Sequence, residues 1–343
     1  TCSGAVATNY SFSYTSAALT ITTRPTLTIT ANSPSAITYG ASTPANGYST
    51  SGLAANDVIS GLTYTYAGSG STTYAASTSA PTLPGTYSIT PSAVTFSTGA
   101  TSNYTSIAYV AGSLTINSAT LVITANSPTA ITYGTSTPAN GFTTTGLNGS
   151  DSFVLSYTYA GTGTTSYAAS TTAPTAAGTY SITPAITSWT SGSASTYSAI
   201  NYVAGSLTIN KKALTVTPDS INITYGNTSP SYTFVVTGFK SGEDATNAAG
   251  YSAPTCTSSG YSATNAATTT SSITCSAGLA TNYSFITTAT ATATVTQAPL
   301  VVAAEAKSVT YGEAAPTFTF TVAGFKNSQT TSTAAGYVAP TCS

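Results

Sequence analysis

Six cations, seven carboxylates and four cysteines are the main chemical equipment of this 343-residue chain, and it has no histidine. Nucleophile-and-base catalysis therefore lacks its usual base. No Gly-x-Ser-x-Gly elbow, P-loop or dinucleotide fingerprint is present. Paired carboxylates are the remaining route to acid–base work. Asp57 and Asp151 are isolated in sequence, and Glu243-Asp244 are neighbours in a Ser/Gly turn. Their simplest role is to cap turn amides. Calcium takes six to eight oxygens, which no stretch of this sequence assembles. No catalytic, cofactor-binding or metal-binding residue is expected, and the chain is not expected to be an enzyme. Cys2, Cys256, Cys275 and Cys342 lack histidine partners and Cys-x-x-Cys spacing. That points to disulfides in an oxidising place, outside the cell or in its periplasm.

Lys240 and Lys326 could enter lysine–asparagine isopeptide bonds, but solvated loop lysines are the simpler reading. Tyr64/Tyr66 and Tyr157/Tyr159 form i, i+2 pairs on one strand face and are read as packing residues rather than as a shelf for sugars. Trp189 is placed in a Ser/Thr/Gly loop. Asn9, Asn103, Asn148, Asn222, Asn227 and Asn282 head Asn-x-Ser/Thr triplets, a pattern that Ser/Thr-rich chains produce by chance; O-linked sugars are an equal candidate.

Only 4% of residues are charged, and the net charge is −1. Arg24, Lys211, Lys212, Lys240, Lys307 and Lys326 are scattered, so neither nucleic acid nor an anionic membrane surface is an expected partner. No apolar run is long enough for membrane insertion. A chain that starts at Thr1 is read as a processed or partial product, so a missing leader carries no weight.

The elements that must hold these residues are strands. Met is absent, Leu is scarce, and Thr, Tyr, Val and Ile alternate between Gly, Pro and Ser breaks. The phrase Tyr-Gly-x-x-x-Pro occurs four times: Tyr39-Gly40…Pro44, Tyr133-Gly134…Pro138, Tyr225-Gly226…Pro230 and Tyr311-Gly312…Pro316. The tyrosines are 94, 92 and 86 residues apart, a whole small domain rather than a solenoid turn of roughly 20–50 residues. Leu27, Ile29 and Ala31 alternate with threonines, and about seven such runs fit each repeat. The expected fold is all-β, a head-to-tail tandem array of small immunoglobulin-like β-sandwich or β-grasp-like domains. Residues 25–117 and 119–210 are near-copies of one type, and 213–297 is a second type. In that type 11 added residues make a long hairpin loop with Cys256 and Cys275 at its feet.

Residues 300–343 match the first half of the second type, and residues 1–22 match its second half. Ala335–Cys342 parallels Ala249–Cys256, and Thr1–Phe12 parallels Thr274–Phe285. Each piece alone leaves an open sheet edge. The expectation is a polymer of copies of this chain, with Cys342 paired to Cys2 of the next. Either the intervening loop was cut, or this is one period of a longer chain. Ring closure within one chain is disfavoured by the short links at residues 23–25, 117–119, 210–212 and 297–299.

Tyr-Gly-x-x-x-Pro, the acidic residue (Asp57, Asp151, Glu243), Gly-Thr-Tyr-Ser-Ile, Asn-Tyr and Gly-Ser-Leu-Thr-Ile recur in one order that resembles the YGX-type MBG repeats of bacterial surface proteins. Gln329 departs from the pattern at the acidic position. The resemblance implies a secreted, repetitive, adhesive or fibre-forming surface protein and supplies no ligand. The leading reading is a structural unit of an extracellular filament, indifferent to mild pH and salt changes. The rival is an adhesin stalk whose repeats bind glycan or host protein.

Overall fold

The computed structural model describes residues 1–20 and 22–343. Among the described residues the chain is all-β apart from two single-turn helices at Thr101–Asn103 and Ala194–Thr196. None of the described helices is long and apolar enough to cross a membrane.

Each of the first three repeats has seven strands among the described residues. The first contains β1 (Thr26–Ala31), β2 (Ile37–Thr38), β3 (Tyr48–Ser51), β4 (Val58–Gly68), β5 (Gly85–Thr98), β6 (Ser106–Val110) and β7 (Gly112–Asn117). The second repeats this pattern as β8 (Ala119–Ala125), β9 (Ile131–Thr132), β10 (Phe142–Thr145), β11 (Ser152–Gly161), β12 (Gly178–Ser191), β13 (Tyr197–Val203) and β14 (Gly205–Asn210). The third has β15 (Lys212–Pro218), β16 (Ile221–Thr224), β17 (Phe234–Thr237), β18 (Cys256–Ser259), β19 (Thr270–Cys275), β20 (Tyr283–Ile286) and β21 (Ala291–Thr296). The fourth has β22 (Val301–Ala304) and β23 (Phe320–Ala323).

By spatial contact the chain divides into two compact units. One comprises Thr1–Thr124, Phe142–Ser156 and Pro184–Val203; the other comprises Ala125–Gly141, Tyr157–Thr183 and Ala204–Ser343. Within the first unit, the first repeat is a two-sheet sandwich. One sheet has the order β3-β1-β6, the other β4-β5-β7-β2. Both are mixed: β1 is antiparallel to β3 and parallel to β6, while β7 is antiparallel to β5 and parallel to β2. Alternation along β1 and β7 turns Leu27, Ile29, Leu114 and Ile116 inward with almost no exposure. Tyr66, Tyr87 and Ile89 meet Leu114 and Ile116 in that core, and Tyr64 packs on its margin.

The second unit contains the third repeat, with sheets β17-β15-β20 and β18-β19-β21-β16. Here the added residues build the edge strand β18, antiparallel to β19, with Cys256 opposite Cys275 and a disulfide between them. The corresponding edge in the first repeat is the long strand β4, contributed by earlier residues.

Residues 1–20 form no strand and are exposed throughout. Trp189, which the sequence reading placed in a loop, lies on β12. Its ring stacks on Tyr197 at 5.5 Å and meets Phe153 edge-on at 5.4 Å. Flanking Ser, Thr and Gly disguised a 14-residue strand.

Candidate functional site

The Tyr-Gly turn closes each parallel strand pair. Tyr39 follows β2 and donates its N–H to Asn117 at the end of β7; Tyr133 and Tyr225 do the same to Asn210 and Thr296. A second backbone bond tightens the turn, from Ala41 to Thr38, Thr135 to Thr132, Asn227 to Thr224 and Glu313 to Thr310. The glycine after each tyrosine has φ between +82° and +91°, where a Cβ is strained. The turn thus aims the tyrosine ring out of its own repeat.

In the first unit that ring reaches a carboxylate 112 residues away. Tyr39 Oη donates to Asp151 Oδ1 at 3.2 Å and Oδ2 at 3.1 Å, and Tyr197 Oη donates to Oδ2 at 2.6 Å. The Asn148 N–H donates to Tyr197 Oη at 3.2 Å. The two rings meet edge-on at 5.7 Å, and Tyr39, Asp151 and Tyr197 are all buried. Burial, followed by the bond to Asp151, pushes the Tyr197 phenol up to about 12.

The second unit repeats the arrangement. Tyr133 Oη donates to Glu243 Oε1 at 2.6 Å, and Tyr283 Oη donates to Oε2. The Lys240 N–H donates to Tyr283 Oη at 3.1 Å. Lys240 Nζ lies 3.2 Å from Glu243 Oε1 and 4.9 Å from the Tyr133 ring centroid, close enough for a cation–π contact. Bonds from Tyr133 and Tyr283 hold Glu243 below its ordinary range, while burial and Glu243 raise both phenols. Lys240 is raised by its bond to Glu243. It sits in a loop with its side chain 39% exposed, and its ammonium also reaches this joint.

The carboxylates therefore do not serve mainly as turn caps. Asp244 does, holding Thr246 through its N–H and hydroxyl and sitting below its ordinary range for that reason, and Glu313 Oε2 accepts from the Thr310 N–H at 3.4 Å. Asp151 and Glu243 are acceptors for two tyrosines each. Asp57 has the same turn and accepts from Tyr104 Oη at 2.7 Å and from Asn103 Nδ2 at 3.0 Å. The signal for these contacts was present in the shared order of motif words, but no sequence spacing shows that one repeat's tyrosine meets the next repeat's acid. Asn282, one of the sequence-predicted glycosylation candidates, is buried and accepts from the Ala177 N–H at 2.9 Å, which leaves no room for a sugar.

Around Tyr225 the arrangement is thinner. Gly226 packs against the Lys326 stem, Asn327 Nδ2 donates to Ala263 O at 2.9 Å, and Gln329 occupies the acidic position. Tyr225 Oη has no hydrogen-bond partner among the described residues. Tyr311 is fully exposed. Cys2 and Cys342 are unpaired within the chain. Among the described residues, no group of three or more acidic, histidine or cysteine side chains is placed to hold a metal ion.

These are joints rather than reaction centres: the phenols and carboxylates are spent on one another. No curated protein matches the chain. Among solved structures it is similar to the N-terminal four Ig domains of Dscam1 isoform 4.44 (8% identity, 61% of this chain and 54% of that one, TM-score 0.23). It is also similar to the I9–I11 tandem of titin (12%, 81% and 99%, 0.22) and to Drosophila N-cadherin EC1-4 (9%, 78% and 75%, 0.22). The chain spans about half the length of the Dscam1 structure. The MBG domain (YGX type) matches residues 27–115, 214–294 and 300–342, more than half of the sequence. With its four Tyr-Gly turns and the strands they close, the chain belongs to the MBG domain family of YGX type, whose non-catalytic repeats build bacterial surface proteins.

Proposed function

We propose that the chain is the structural repeat unit of an extracellular bacterial filament. Residues 300–343 of one copy are completed by residues 1–22 of the next, and Cys342 forms a disulfide with Cys2 of that copy. The domains of the filament are then 25–117, 119–210, 213–297 and the joined pair.

One observation carries this reading. The third repeat is held by four aromatic rings: Phe239 meets Tyr251 at 5.8 Å and Tyr283 at 5.4 Å, and Tyr251 meets Phe285 at 6.0 Å. The fourth repeat has the first pair alone, Phe325 and Tyr337 at 5.7 Å, and the Tyr337 hydroxyl is buried without a partner. The other pair is Tyr10 and Phe12, which are 79% and 50% exposed. The same division appears in the backbone. β15 is flanked by β17 and, in parallel, by β20, with Leu214 opposite Phe285 and fully buried. β22 has β23 alone, and Leu300 is 40% exposed. A strand at Tyr10–Ser13 of the next copy fits that free edge, with Phe12 opposite Leu300. An unpaired apolar edge is a template for such pairing.

Native material examined on gels with and without reductant, together with a disulfide peptide map, tests the reading. A Cys2–Cys342 peptide linking two copies is expected. Free thiols at both positions in assembled material would remove the proposal.

The adhesin alternative has its own observation. A groove of about 680 Å³ is lined by Thr72, Tyr74, Leu83, Thr86, Tyr87 and Asn117, hydroxyls and rings of the kind that hold sugars. Saturable glycan binding by the full chain would favour it.

A further inference from the structure

Asp57 and Tyr104 form a receptor of the same build as the two joints already described. The Asp57 N–H donates to Ala54 O at 3.0 Å, as Asp151 does to Asn148 and Glu243 to Lys240, both at 2.9 Å. The Ala54 N–H donates to Tyr104 Oη at 3.2 Å, as Asn148 does to Tyr197 and Lys240 to Tyr283. Tyr104 Oη donates to one carboxylate oxygen, as Tyr197 and Tyr283 do. At Asp151 and Glu243 the tyrosine of the preceding Tyr-Gly turn adds a further donor. At Asp57, among the described residues, only the exposed Asn103 amide does so.

Tyr311 is the complementary piece. Its turn carries the same backbone bond, and Gly312 has φ +91° against +90° for Gly40 and +89° for Gly134. Gly40 packs against Asn148 and Gly134 against the Lys240 stem, in each case on the residue three before the carboxylate. Gly312 has nothing within 4 Å of where a Cβ would stand, and the residue three before Asp57 is the small Ala54.

We infer that the Asp57–Tyr104 site receives Tyr311 of a second copy of this chain, with the Tyr311 hydroxyl donating to the Asp57 carboxylate and Gly312 seated on Ala54. This rests on the head-to-tail reading and adds a second contact to it. The completed half-repeat then docks on the first repeat of the copy that completes it, as Tyr39 docks on Asp151 within one chain.

Nitration of Tyr311 by tetranitromethane, read by mass spectrometry, tests the inference on the full chain. Monomer and disulfide-linked ladder are compared for the wild type and for Asp57→Asn. Tyr311→Phe serves as the blank for assigning the nitrated peptide, and its full exposure means that the fold tolerates the change. Nitration of Tyr311 is expected to fall about tenfold, or 1.4 kcal/mol of protection, on passing from monomer to ladder, and to recover in the Asp57→Asn ladder. A ladder in which Tyr311 reacts as it does in the monomer overturns this contact and leaves domain completion standing. Absence of any Cys2–Cys342 ladder overturns both.

Discussion

Replacing Asp151 with alanine should open the joint between the first and second repeats, and its cost can be worked from the contacts. The carboxylate is 7% exposed and receives two phenol hydroxyls, both on buried rings. A buried donor left without its acceptor costs about 1–3 kcal/mol. The Tyr39 bond is long and shared between two oxygens, which puts it near the lower bound. The Tyr197 bond, at 2.6 Å to a charged acceptor, belongs near the upper. Asp151→Ala should therefore cost about 3–4 kcal/mol, Tyr197→Phe about 2 and Tyr39→Phe about 1. Trp189 provides the assay. It is the sole tryptophan and stacks on Tyr197, so its fluorescence in a urea titration reports this joint rather than the whole chain, for which a single two-state free energy is not defined. A loss below about 1 kcal/mol for Asp151→Ala, or equal losses for Tyr39→Phe and Tyr197→Phe, would refute the assignment.

The remaining predictions concern pH, the disulfide and a glycine. Glu243 is held below its ordinary value, so its contribution is present above that value and disappears as pH falls through the depressed one. Tyr197 is raised from 10.0 to about 12, so its contribution is present below 10 and disappears as pH rises through 12. Thermal midpoints should accordingly be flat between about pH 5 and 9 and fall below and above that window; a slope inside it contradicts the joint chemistry. Reducing Cys256–Cys275, which are 19 residues apart, should destabilise the third repeat by about 3 kcal/mol, measured as a melting shift that a Cys256→Ser/Cys275→Ser double variant reproduces without reductant. Gly134→Ala meets both an unfavourable φ and the Lys240 stem at 3.1 Å, whereas Gly312→Ala meets only the φ. In the isolated chain the first should lower the melting midpoint more than the second, and equal shifts would show that Gly134 is not a contact.

Much of the architecture could be read from the residues. Alternation at Leu27, Ile29 and Ala31 shows which face of β1 is buried, because a strand has a side-chain period of two. The excess residues between Pro254 and Ile273, flanked by cysteines, point to an inserted hairpin. Their use as the edge strand β18 was not legible, since the exchange of one edge for another depends on what the sheet lacks rather than on local propensity. The joints were hidden for a different reason. Tyr39 and Asp151 are each ordinary in their local context, and only the placement of one repeat's turn against the next repeat's carboxylate gives them a role. Trp189 shows the limit of compositional reading: Ser and Thr beside it signalled a loop, but they are simply the wet face of a strand.

The chain passes from the first repeat into the second and from the second into the third with a single residue between strands, Ser118 after β7 and Lys211 after β14. The strand that leaves the first and third repeats, β7 or β21, runs parallel to the short strand near its entrance, β2 or β16. When a fibre is stretched, parallel strands near opposite ends of a module are dragged past each other. Their hydrogen bonds then resist together instead of parting one at a time like a zip. The pairing spans two residues in the first repeat and four in the third, from Ile221 opposite Ala293 to Thr224 opposite Thr296. Under tension the modules should thus give way in order, the third yielding after the first, so that the strand lengthens in steps before it breaks.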